Sequence, residues 1–256
     1  MMRYHVDLNS DLGESFGRYV LGQDEAILRH VTSANIACGY HAGDHNVMRR
    51  TVALAARHGV GVGAHPGLPD LLGFGRRYIA VEPEDVYNMV IYQVGALAAF
   101  AKAQGIPVQH VKPHGALFHM ASKEEAVAQA IAEAVRAVDP NLILFGLAKS
   151  ALIRAGREAG LRVAEEVFAD RTYQPDGTLT PRTLPDAYVT DPAQVVDRVI
   201  RMVKEGKVRA VDGTDLEIRA DTVCIHGDDP QALPFVTRLR ERLTEADIGI
   251  QRVGVR

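Results

Sequence analysis

Five times in this chain a short apolar run gives way to acidic residues or histidine. The runs end in Asp7-Leu8-Asn9-Ser10-Asp11-Leu12-Gly13-Glu14, in Cys38-Gly39-Tyr40-His41-Ala42-Gly43-Asp44-His45, in Gly63-Ala64-His65-Pro66, in Val111-Lys112-Pro113-His114-Gly115 and in Cys224-Ile225-His226-Gly227-Asp228. Each run has the length of a strand, and stretches of helical period separate them. Strands alternating with helices build parallel sheets with right-handed crossovers. The carboxyl ends of such strands share one face, where ligands bind. Polar residues far apart in sequence are therefore expected at one site, as in an enzyme subunit.

The expected strands are Tyr4–Asn9, Ser33–Cys38, Val60–Ala64, Val108–Lys112, Leu142–Phe145, Arg162–Glu166 and Asp221–His226, with Gly249–Val253 as a short addition. Helical patterns cover Asp44–His58 and Pro83–Gln104, each followed by a glycine suited to a C-cap. Ser122-Lys123-Glu124-Glu125 has the form of a capping box opening a helix to about Val138. Asp191-Pro192 joins an N-cap to proline at the first helical position, and Asp228 or Asp229 before Pro230 is placed to open the last helix. Val208–Ile218, with Asp212-Gly213 in its middle, reads as a hairpin. Thr172–Tyr188 reads as a long ordered loop over the site. About seven β/α units in 256 residues favour one domain, residues 1–256, built as an irregular (β/α) barrel of about seven parallel strands. An open doubly wound sheet is the alternative.

Composition narrows the function. A formal net charge of −3 and the lack of a Lys/Arg-rich run argue against nucleic acid as a partner. No apolar stretch reaches the roughly 20 residues of a membrane helix, so no membrane is expected, and no signal pattern is visible. Cys38 and Cys224 fall inside expected strands, which suits reduced thiols in a cytoplasmic protein. There is no G-x-x-x-x-G-K-[ST] loop, no G-x-S-x-G elbow and no G-x-G-x-x-G after a strand. Any nucleotide would need an unconventional site or a site on a partner.

The polar motifs each admit two readings. A period of two sets Asp7, Asn9 and Asp11 on one face of the first strand. Burying them is costly unless they bind something, such as a metal beside a general base with Glu14 nearby; the alternative is a charged turn whose aspartates cap loop amides. His41 and His45 could meet Asp11 around a divalent ion, or Asp44 could cap a helix while both histidines bond to backbone and water. His65 precedes a glycine-rich segment with Arg76 and Arg77, whose guanidinium groups suit a carboxylate or phosphate when not simply solvated. Lys112 could neutralise an anionic substrate or stabilise an oxyanion, or pair with Asp7 or Asp11. His114 has the chemistry of an acid or base. Asp170, Arg171 and His226 place polar groups just past later strands, whereas His5, His30, His58, His110 and His119 read as structural.

Taken in order, DLNSDLGE, NIACGYHAGDH, GAHPGLPDLLGFGRR, VKPHGALF, EVFADRTY and CIHGD resemble the LamB/YcsF family from about Asp7 to beyond Asp228. The resemblance implies a barrel of the glycoside hydrolase and deacetylase kind. It also implies one subunit of an ATP-dependent 5-oxoprolinase, a hydrolase that opens the lactam 5-oxo-L-proline to L-glutamate while ATP becomes ADP and phosphate. Two further subunits, B and C, would be its partners, and the ATP site could lie on or be shared with one of them. For that chemistry the expected catalytic residues are Asp11, Glu14, His41, Lys112 and His114. Substrate or phosphate contacts are expected from Asp7, Asn9, His65, Arg76, Arg77, Asp170, Arg171 and His226. In the wider deacetylase group a first-strand aspartate and an HxxxH pair hold a divalent metal, and the matching positions here are Asp11, His41 and His45. A stand-alone metal-dependent deacetylase or amidohydrolase, and a non-catalytic 5-oxoproline-binding subunit, are the competing expectations.

Overall fold

Parallel pairing carries the chain round a closed ring. The computed structural model describes residues 2–225 and 232–254. In chain order its elements are β1 (Tyr4–Leu12), α1 (Asp24–Leu28), β2 (Ser33–Ala37), α2 (His45–His58), β3 (Gly61–His65), α3 (Pro83–Ala103), β4 (Val108–Val111), α4 (Gly115–Lys123), α5 (Glu125–Val138), β5 (Ile143–Leu147), α6 (Ala151–Glu158), β6 (Arg162–Phe168), α7 (Pro192–Glu205), β7 (Lys207–Arg209), β8 (Asp215–Glu217), β9 (Thr222–Cys224), α8 (Ala232–Glu245) and β10 (Ile248–Ile250). Strands β1 to β6 pair in sequence, β6 pairs with β9, and β9 returns to β1, all in parallel. The result is a closed (β/α) barrel of seven strands, not an open sheet. Strand β10 adds to the first residues of β1, before the ring closes. The β7–β8 pair is antiparallel, the hairpin expected around Asp212-Gly213.

Local chemistry explains most element ends. Asp44 caps α2 by accepting from the Asn46 and Val47 amides at 2.8 and 2.9 Å. Gly59 closes that helix at φ 67°. Asp191 caps α7 by accepting from Ala193 N at 2.9 Å, with Pro192 following. The capping box at Ser122 does not form. Residues Ala116, Leu117, Phe118, Met120 and Ala121 bury a face of their own, so a helix already occupies this stretch. Ser122 lies in its last turn and donates to the Phe118 carbonyl at 2.7 Å. The expected start of the last helix at Asp228 or Asp229 lies outside the described residues. No helix of the described residues is long and apolar enough to cross a membrane.

Strands β2, β3 and β5 are buried at every position, as parallel strands covered on both faces are. The outer faces pack on the helices, with α3 on α5 and α5 on α6 as extended contacts. The inside of the barrel is polar. Asn9, Asn35, His110, Glu166 and Thr222 are all fully buried there. The His110 ring stacks on Phe145, centroids 4.2 Å apart, and fills the space beside Gly63. A Cβ on Gly63 would stand 2.1 Å from His110 Nε2. Gly63→Ala is therefore expected to destabilise the fold by about 1–3 kcal/mol through overpacking. An unchanged urea midpoint would show that the ring can move aside.

Candidate active site

Lys112 follows β4, and its ammonium is buried inside the barrel. It lies 2.8 Å from Glu166 Oε1, 3.0 Å from Asp11 Oδ1, 3.2 Å from Asn9 Oδ1 and 3.2 Å from Cys224 Sγ. Burial opposes its charge, but the carboxylates of Asp11 and Glu166 hold it protonated, well above the ordinary lysine range. Burial also opposes ionisation of Asp11; His65 and Lys112 outweigh it and hold that carboxyl well below its ordinary value. Glu166 is raised, because burial there exceeds the help from Lys112. Asn35 extends the network, donating to Asn9 Oδ1 and Asp11 Oδ1 at 2.7 and 2.8 Å and meeting His110 Nε2 through its own oxygen at 2.7 Å.

Two residues expected to touch substrate are consumed in this network. Asp7 accepts from the hydroxyls of Thr32, Ser33 and Thr222, and burial raises its carboxyl. Asn9 donates to Glu166 and Thr222 at 2.9 and 2.7 Å. Neither lines the cavity described next. The period of two did point Asp7, Asn9 and Asp11 inward, but only Asp11 stands high enough along the barrel axis to reach the mouth.

Above Lys112 the barrel opens into a cavity of about 630 Å³. Asp11, Glu14, His65, Arg76, Lys112 and His114 line it, together with Thr178, Leu179, Pro181, Arg182 and Thr183 of the long loop after β6. His65 Nδ1 donates to the Lys112 carbonyl at 2.7 Å, and its Nε2 lies 3.3 Å from Asp11 Oδ2 and 2.9 Å from His114 Nδ1. His114 Nε2 donates to the Phe74 carbonyl at 2.8 Å. That carbonyl is delivered by a left-handed backbone, φ 55° at Phe74 and 63° at Gly75. The turn is pressed against α4: a Cβ on Gly115 would sit 2.5 Å from the Gly75 carbonyl oxygen. His41 does not reach the cavity wall. It stacks behind His114, centroids 3.6 Å apart, with Nε2 3.3 Å from Glu14 Oε1. Burial, then neighbouring histidines, push both His41 and His114 well below the ordinary range, so both favour the neutral form.

The other expected contacts divide between the cavity and its surroundings. Arg76 lines the cavity with its guanidinium 4.9 Å over the Phe74 ring, but Arg77 is exposed and pairs with Asp70. Asp70 also accepts from Gly73 N at 2.9 Å, so this pair shapes the loop. Arg171 borders the cavity, yet its guanidinium donates to the carbonyls of Ala187 and Thr180 and lies 5.1 Å from the Tyr188 ring centroid. It fastens the long loop. Asp170 is half-buried near Arg171 and does not line the cavity. His226 lies outside the described residues.

The expected metal set of Asp11, His41 and His45 is not assembled. His45 opens α2 on its exposed side, its Nε2 3.3 Å from Asn46 Nδ2. The histidines of HxxxH are thus split between interior and solvent by the Asp44 cap. The fold instead brings Glu14, His41, His65 and His114 together, one ligand atom of each within 4.8 Å of the others. These four do not fit one ion. The stacked rings of His41 and His114 are 4° from parallel, and no ion can lie in both ring planes. Glu166, Asn35 and His110 were missed as parts of the site. The visible signal for Glu166 was an acid pair inside a strand-like run; Phe74 contributes only a carbonyl, which leaves no signal.

The chain is similar to known proteins over nearly its whole length. The model of the LamB/YcsF family matches residues 6–255. A protein of Oceanobacillus iheyensis named as a 5-oxoprolinase subunit is 61% identical over 98% of each chain. Its Bacillus subtilis namesake is 59% identical over 98% of each. The crystal structure of a lactam utilization protein from Thermus thermophilus superposes with a TM-score of 0.91 at 49% identity, covering 96% of this chain and 99% of that one.

Two stability measurements test the buried network. Lys112→Met strands two carboxylates and is expected to cost about 3–5 kcal/mol, with Glu166→Gln added recovering part of the loss. Equal urea midpoints for the single and double variants would remove Glu166 from the ion network. The second test is pH. Burial pushes His110 down to about 3, whereas an unfolded histidine takes up its proton below about pH 6.5. The folded state binds fewer protons between those values, so stability falls as pH drops through that window. Acidification from pH 7 to 5 should lower the urea midpoint less steeply in His110→Asn than in the wild type. Parallel slopes would mean that His110 does not stay neutral.

Proposed function

The chain belongs to the LamB/YcsF family, and on that premise we propose that it is the lactam-handling subunit of a cytoplasmic, ATP-dependent 5-oxoprolinase, working with two partner subunits. The observation that carries this reading is the joining of Glu14, His65, His114 and Arg76 in one cavity wall. The relatives' name supplies the substrate: a five-membered lactam bearing a carboxylate.

Arg76 has the chemistry to hold that carboxylate. Asp11 is a poor base because Lys112 and His65 keep its carboxyl low; it anchors His65 instead. Glu14, at the cavity wall and backed by neutral His41, is the base that takes a proton from water as the water adds to the lactam carbonyl carbon. Lys112 is a positioning residue that fixes Asp11. An unstrained lactam resists hydrolysis near neutral pH; phosphorylation of the amide oxygen activates the ring carbon toward water, and the phosphate leaves from the acyl carbon once the ring has opened, which accounts for ATP. No phosphate-cradling loop occurs in this sequence, so a nucleotide site on, or shared with, a partner subunit suits the chain.

The test is glutamate release from 5-oxoproline, with and without ATP, by this chain alone and with both partners. Release is expected only with ATP and all three subunits. Glu14→Gln should lower kcat by about 100-fold or more with the far-ultraviolet spectrum unchanged. Release by the lone chain without ATP would replace this reading with a stand-alone amidohydrolase, and an unimpaired Glu14→Gln would remove Glu14 from water activation.

A further inference from the structure

The facing nitrogens of His65 and His114 cannot both be bare. His65 Nδ1 lies 2.7 Å from one carbonyl oxygen and His114 Nε2 lies 2.8 Å from another. A carbonyl only accepts, so each of these nitrogens carries a hydrogen. A neutral imidazole has one N–H, which leaves His65 Nε2 and His114 Nδ1 as lone pairs. They are 2.9 Å apart. Two lone pairs repel at that distance, whereas one proton between them makes a charge-assisted hydrogen bond. We propose that His65 and His114 share one excess proton and that this pair is the general acid for the lactam nitrogen.

The surroundings suit a single positive charge. From β1 and the turn after it, Asp11 Oδ2 lies 3.3 Å from His65 Nε2 and Glu14 Oε1 lies 3.7 Å from His114 Nδ1. Lys112, just after β4, faces Asp11 and opposes the charge at longer range. Arg76, on the loop after β3, opposes it as well, while the neutral ring of His41, after β2, stacks on His114. Burial, then the charge on His65, hold His114 well below its ordinary range. Both rings reach the cavity.

The catalytic role rests on the lactam-opening reading; the proton count does not. When the carbon–nitrogen bond of the hydrated lactam breaks, its electron pair stays on nitrogen. That nitrogen takes the shared proton, and the pair is left neutral. The proton that Glu14 removed from water restores it; O-phosphorylated lactam plus water thus gives the ring-opened acyl phosphate, and a second water releases phosphate and the free amino acid.

The first experiment uses the chain alone, with 15N-labelled histidine, in long-range 1H–15N correlation at pH 7. Three nitrogen-bound hydrogens are expected on the two rings: one at His65 Nδ1, one at His114 Nε2 and one shared and strongly downfield. His65→Gln should abolish the shared signal and leave one hydrogen on His114; His114→Gln serves if that variant does not fold. Only two hydrogens in the wild type would overturn the proposal, as would a divalent ion found stoichiometrically in the same sample, because an ion would itself satisfy the facing lone pairs. In the assembled enzyme, His65→Gln is expected to lower kcat by about 100-fold, with KM little changed, and to flatten the alkaline limb of the pH profile. Full kcat beside three hydrogens would mean that the proton is held and not used. Failure of the wild-type complex to release glutamate would instead count against the lactam reading.

Discussion

A buried ammonium must be answered by opposite charge, and the barrel is organised around that demand. Lys112 has three hydrogens to give and four acceptors within reach, drawn from β1, β6 and β9. Removing an ammonium and two carboxylates from water costs several kcal/mol per ion. The network is tolerable because nearly every member has a partner: Asn9 and Asn35 bridge the charges, and Thr222 ties Asn9 to Asp7. Strands distant in sequence are thereby locked in one register from inside.

That interior lock also aims the chemistry. Asp11 spends one oxygen on Lys112 and Asn35 and turns the other toward His65. His65 in turn is anchored by the Lys112 carbonyl, so one residue supplies both the charge below and the acceptor that orients the imidazole. His114 depends on a different support, the left-handed turn at Phe74-Gly75 seated against Gly115. Two loops that follow neighbouring strands must therefore fit each other before the histidine pair exists. A strained backbone at this point belongs to the positioning of the site.

Much of this was legible in the sequence. Apolar runs marked the strands, Asp44 and Asp191 marked helix starts, and the residues past the strands marked the face that bears the cavity. Asp11, Glu14, Arg76, Lys112 and His114 do line it. Other expected site residues have local partners or positions that the sequence does not show. Asp7 and Asn9 face the same side as Asp11 but sit deeper, and His45 shares a motif with His41 but falls on the solvent side of a helix turn. Arg77 and Arg171 were read by type, while their neighbours Asp70, Thr180 and Ala187 had already engaged them.

The sequence by itself determined the alternation of strand and helix, the parallel barrel and the chemical types gathered at its mouth. Those follow from backbone periodicity and capping, which involve a few consecutive residues. Only the tertiary structure decided which polar groups are consumed in the barrel and which face the cavity. It also decided that two histidines 49 residues apart point lone pairs at each other. Depth along the barrel axis and the approach of one loop to another depend on ring closure by all seven strands, and no local pattern encodes a distance between segments that distant in the chain.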